Sequence, residues 1–110
     1  MSPVLEKAAV IRPVLERAAA DVKTMTYTEV AEACGGNRRS LGDALSAISN
    51  GSFREYGVML SALVVLKGTN LPSGHFFDQA NSLGFDVSDR KQFQSDELDR
   101  VFGKYSKKKH

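Results

Sequence analysis

Asn37, Arg38, Arg39 and Ser40 follow a pair of glycines and precede Leu41, Ala44, Leu45 and Ile48. The four apolar residues recur at i, i+3, i+4 and i+7, the period of one buried helical face. The polar quartet would then occupy the exposed N-terminal end of that helix. Arginine pairs bidentately with guanine or holds a phosphate, and such an end enters a major groove. Tyr27, just upstream, and Lys67, at the far end of an apolar run, complete a candidate contact set for duplex DNA. The chemistry is recognition, with no bond made or broken. An ordinary solvated face also accounts for two adjacent arginines, and Asp43 and Glu32 nearby would repel phosphate.

Other chemistry finds less support. The single cysteine, Cys34, can form neither an internal disulfide nor a multi-cysteine zinc site. It is expected as a small buried packing residue. His75 and Asp78 stand about one helical turn apart, but no third ligand accompanies them, so His75 is expected to be structural or exposed. The glycines around Pro72 lack the glycine–lysine–hydroxyl order of a phosphate loop. No cofactor and no metal site is expected. The chain has 110 residues and a net charge of +2, which fits one domain that is not uniformly basic. No apolar run approaches the roughly 20 residues of a membrane span, and the N-terminus lacks a signal peptide's pattern, so a cytoplasmic location is expected.

The elements that would position these residues read as follows. Residues 3–23 are helical, with Ser2 as N-cap and Pro3 in the first turn. "PVLEKAA" at 3–9 recurs as "PVLERAA" at 13–19, too short a period for a solenoid repeat. Pro13 would cost about 3 kcal/mol inside a helix, which predicts a kink or break near Ile11–Arg12. Residues 24–27 are β-leaning. Thr28 caps a helix over 29–34, and Gly35–Gly36 ends it. Asn37 caps a second helix over 38–49, stopped by Asn50–Gly51. The run from Val58 to Gly68 suits a buried strand, and "TNLPSG" at 69–74 a turn. Ser73 caps a helix closed by Gly84, and Ser95 caps a last one.

Ala31, Gly35, Leu41 and Ala44 match the internal spacing of a helix-turn-helix, with Val30 and Cys34 as packing residues; Gly36 departs from it. Helical hairpins that bind nothing also produce this spacing. A strand and turn after the second helix fit a winged helix, with Lys67 on the wing or in a plain β-turn. The fold class expected is α+β, mostly helical: a winged-helix-like domain with a helix-turn-helix and additional N- and C-terminal helices. Residues 1–24 form an N-terminal helical segment, 25–103 the domain, and 104–110 a basic tail.

The stretch from Thr26 to Val65 resembles the DNA-binding C-terminal domain of the O6-alkylguanine-DNA alkyltransferases and alkyltransferase-like proteins. The matching residues are Tyr27, Glu29-Val30-Ala31, Gly35 and Arg39-Ser40-Leu41-Gly42. The resemblance implies that Tyr27 and Arg39 help rotate a nucleotide out of the duplex. The family's Pro-Cys-His-Arg is replaced here by Leu60-Ser61-Ala62-Leu63, with no histidine beside Ser61 to activate it, so alkyl transfer is not expected. The chain is also similar to small bacterial and phage proteins of no established activity, through Tyr27–Ala31 and Leu60–Gly74.

The favoured expectation is a non-enzymatic protein that binds double-stranded DNA through Tyr27, Asn37, Arg38, Arg39, Ser40 and Lys67. The alternative is a small bacterial or phage regulator that grips a host protein. The lysines at 104 and 107–109 can add phosphate contacts or be a solvated tail. The Ala-rich N-terminal helix suits packing on the domain or on a second copy, as in a homodimer.

Overall fold

In a computed structural model, residues 3–35 and 40–106 are described. Among them are five α-helices, one 3-10 turn and two short strands, so the fold is mostly helical with minor β content. The first helix, α1 (Pro3–Ala20), lays Ala8, Ile11, Leu15, Ala18 and Ala19 into the core. It continues through Pro13 without the expected break. Pro13 and Ala9 are both exposed, so the Ala9 carbonyl that loses its helical partner faces the solvent side, while the opposite face is held by packing. The helix closes on Val22, a β-branched residue at φ 57°.

Strand β1 (Met25–Thr26) leads into α2 (Tyr27–Ala33). The cap is Thr26, not Thr28: its hydroxyl accepts from Glu29 N at 3.1 Å, and Glu29 Oε1 accepts from Thr26 N at 2.8 Å. This reciprocal capping box needs an acidic residue three positions after the cap, which only Thr26 has here. Gly35 follows at φ 95°.

Helix α3 (Leu41–Tyr56) begins later and ends later than expected. Its cap position is Ser40, whereas the predicted cap Asn37 lies outside the described residues, as do Arg38 and Arg39. The predicted face is correct: Leu41, Ala44, Leu45 and Ile48 are all buried. Asn50–Gly51 does not stop the helix. A Cβ on residue 51 would stand 3.0 Å from Arg12 Nη1, so the glycine admits the Arg12 side chain across α3. The stop is Gly57, at φ 75°. Arg12 donates to Glu16 at 3.2 Å and to Glu55, and so links α1 to α3. Burial works against its charge but is outweighed by Glu55, Tyr105 and Glu16, and its pKa is raised.

The run after Gly57 is not a long strand. Leu60–Leu63 form a 3-10 turn, η1, and only Val64–Val65 form strand β2. The strand pairs parallel with β1, Met25 against Val64 and Thr26 against Val65. The hydrophobic reading of the run is right, since Val58 to Val65 are all buried. Its backbone polarity decides the shape. Met59 N donates to Glu97 Oε2 at 2.6 Å, Leu60 N to Ser52 Oγ at 3.0 Å, and Ser61 N to Ser49 Oγ at 3.0 Å. Donors engaged by side chains of two neighbouring helices are not free to build a ladder.

Helix α4 (Gly74–Ser82) starts after Ser73, as expected, though the Ser73 side chain makes no capping bond. It closes at Gly84, φ 99°. Helix α5 (Arg90–Tyr105) starts five residues before Ser95. Asp89 is its cap, accepting from Gln92 N at 3.1 Å. Phe53, Phe76, Phe77, Phe85 and Phe93 join α3, α4 and α5 through ring contacts of 5.1–6.5 Å between centroids. Lys104 and Tyr105, expected in the tail, belong to α5, and residues 107–110 lie outside the described ones.

Candidate nucleic-acid interface

Two expected contact residues are brought to one end of the molecule by the parallel pair. Thr26 stands opposite Val65, so Tyr27 and Leu66 leave the sheet side by side. Lys67 follows, exposed, in a tight turn closed by Leu66 N to Leu71 O at 2.8 Å and Asn70 N to Leu66 O at 3.0 Å. Gly68 at φ 105° and Asn70 at φ 58° supply the left-handed conformations that this turn requires.

Tyr27 closes the same region. Its hydroxyl accepts from Ser73 N at 3.0 Å and ties the start of α2 to the start of α4. The tyrosine is half-buried, so it acts as a clamp as well as an edge. A small cavity of about 10 Å³ beside it is lined by Gly42, Ser61, His75 and Gln79, among others. That is room for one water molecule and no nucleobase. Gly42, near the start of α3, lies against the ring of His75, near the start of α4: a Cβ on residue 42 would stand 3.8 Å from it. Gln79 Nε2 donates to Ser46 O at 2.8 Å and to Asn50 Oδ1 at 2.9 Å. Its carbonyl oxygen is buried and has no partner among the described residues.

Ser40 is half-buried at the cap of α3, at φ 62°, and makes no side-chain capping bond. Asn37, Arg38 and Arg39 lie outside the described residues. Asp43 is exposed in that first turn. The two helices of the suspected motif both rest on α1; α2 also meets the strands, and α3 meets η1 and α4. They share the core through Val30 and Ala31 on one side and Leu41, Ala44 and Leu45 on the other.

The remaining candidates fall away from this end or are engaged. Ser61 is buried, with its hydroxyl 2.6 Å from that of Ser49. Cys34 is half-buried rather than fully buried, and its thiol donates to Ala31 O at 3.3 Å. No group of three metal-ligating side chains occurs among the described residues. The perturbed acids lie elsewhere: hydrogen bonds from Ser88 hold Asp86 below its ordinary pKa, and burial raises Tyr105, partly offset by Arg12. Sequence reasoning named Tyr27, Ser40 and Lys67 but missed Gly42, Ser73 and Gln79 as their neighbours; His75 it set aside. Comparison with protein-family models, with curated proteins and with solved structures gives no match.

Proposed function

We propose that the protein binds double-stranded DNA, without catalysis, through the end of the molecule where α2, α3 and α4 begin. In this reading α2 and α3 act as a helix-turn-helix and the turn at 66–71 takes the place of a wing, which makes the fold winged-helix-like. The observation that carries the reading is the meeting of Tyr27, Gly42 and Ser73–His75 beside the exposed Lys67 turn. The starts of α3 and α4 contribute positive partial charge there. Arg38 and Arg39 immediately precede α3 in sequence and carry two full positive charges. The likeness to alkyltransferase-like proteins supports the same surface. The absence of catalysis is supported by Ser61, whose buried hydroxyl is engaged by Ser49, and by a neighbouring cavity too small for a base.

The alternative, a regulator that grips a host protein, draws on one observation: the acidic Asp43 is exposed in the first turn of α3. Binding to random duplex DNA, titrated with salt, separates the two. DNA binding requires log K to fall linearly with log salt. It also requires the Arg38→Ala/Arg39→Ala variant to bind more weakly, with a slope shallower by about one unit for each phosphate no longer neutralised. Loss of binding on removing residues 107–110, with normal binding by the double arginine variant, would give the protein-binding reading the lead.

A further inference from the structure

The outer face of α1 is unpartnered, and its pattern is self-complementary. Glu6, Val10, Pro13 and Arg17 recur at i, i+4, i+7 and i+11, one straight stripe along a helix, and all four are exposed. Val10 is 53 % exposed, and Leu5, which flanks the stripe with Ala9, is 56 % exposed. The stripe therefore reads acid, apolar, apolar, base. Reversed end to end, it reads base, apolar, apolar, acid. We infer that this face binds a second copy of the same chain, α1 against α1, antiparallel about a two-fold axis near residues 11–12.

In that arrangement Glu6 of each copy meets Arg17 of the other, and Val10 meets Pro13. A parallel arrangement would set Glu6 against Glu6 and Arg17 against Arg17, so charge selects the antiparallel one. The two-fold makes both halves of the interface identical, as an isologous contact requires. Glu6 and Arg17 make no ion pair with any other described residue. Each also stands at the end of α1 that suits its charge against the helix dipole. The dipole explains the charges one at a time. It does not explain the two exposed apolar residues between them. The ten-residue repeat does not create the stripe, since Glu16, the counterpart of Glu6, is turned toward Arg12.

One helix face against another is smaller than a standard stable interface, so the dimer is weak, with Kd in the range of about 10 µM to 1 mM. Sedimentation velocity of the full chain across that range tests it. The native chain should sediment as a monomer–dimer equilibrium. Glu6→Lys and Arg17→Glu, each alone, place like charges at both ends of the interface and should weaken self-association about tenfold or more. An equimolar mixture of these two variants should dimerise again, because both charge pairs are restored in the heterodimer. The doubly reversed Glu6→Lys/Arg17→Glu chain should also dimerise. Circular dichroism of each variant, with the helical signal retained, secures the comparison. A native chain that stays monomeric throughout, single variants that associate as the native chain does, or a folded mixture that stays monomeric would each overturn the inference.

Discussion

Two regions of this chain treat their polar groups in opposite ways. Around η1 every donor from Met59 to Ser61 is taken up by a side chain from α3 or α5, in a fully buried setting. Glu97, 0 % exposed, also accepts from Arg100 Nε at 2.9 Å and Nη2 at 2.7 Å, so its charge is compensated. Where α3 and α4 begin, by contrast, the cap residues Ser40 and Ser73 make no side-chain capping bonds. Ser40 holds a left-handed backbone at φ 62°, and Gln79 keeps a buried oxygen with no partner among the described residues. A satisfied buried network fixes a structure. Open caps and local strain collect where a surface is kept for something else.

The contrast can be broken by mutation. Glu97→Ala should have the largest effect, because it leaves Met59 N and the Arg100 guanidinium without their partner. The orphaned buried N–H of Met59 costs about 1–3 kcal/mol and the cavity left by the fully buried side chain adds to it, while Arg100, 47 % exposed, turns to water; the total is to be read from urea unfolding. Ser52→Ala removes the acceptor of Leu60 N and the donor to Val58 O, and should cost about 1–3 kcal/mol in the same assay. A loss under about 0.5 kcal/mol for either would mean that the η1 network does not hold the fold.

The open end should respond in the opposite direction. Ser40→Gly relieves a positive φ and removes no capping bond, so it should stabilise by about 0.5–1 kcal/mol. Destabilisation would show that the Ser40 hydroxyl is in use. Lys67→Ala, on an exposed turn, should change stability by less than about 0.5 kcal/mol. Under the proposed function its effect falls on DNA binding, with a salt slope shallower by about one unit for one phosphate contact removed.

The same contrast marks what can be read from the sequence. The α3 face is legible because Leu41, Ala44, Leu45 and Ile48 carry the helical period within a single element. The shape of 58–65 is not. Its hydrophobicity predicts burial, but the donors of Met59 and Ser61 are claimed by residues 38 and 12 positions away. Helix starts are displaced by two to six residues at α2, α3 and α5, where several hydroxyl or acidic residues compete for the cap. Only the Thr26–Glu29 pair carries a reciprocal signal that settles one of them. Pro13 does not break α1 because its cost depends on which side of the helix faces water. At the candidate site, Tyr27 and Lys67 are legible by residue type. Their meeting is not, since it depends on the parallel pairing of Thr26 with Val65, residues far apart in the sequence.

The most direct test is an amide NMR titration of the native chain with random duplex DNA at low salt. Shift changes should concentrate at residues 27, 40–43, 67–71 and 73–75, and residues 59–63 and 94–97 should stay still. Changes confined to α1 or α5, or no changes at all, would contradict the assignment of DNA binding to the end where α2, α3 and α4 begin.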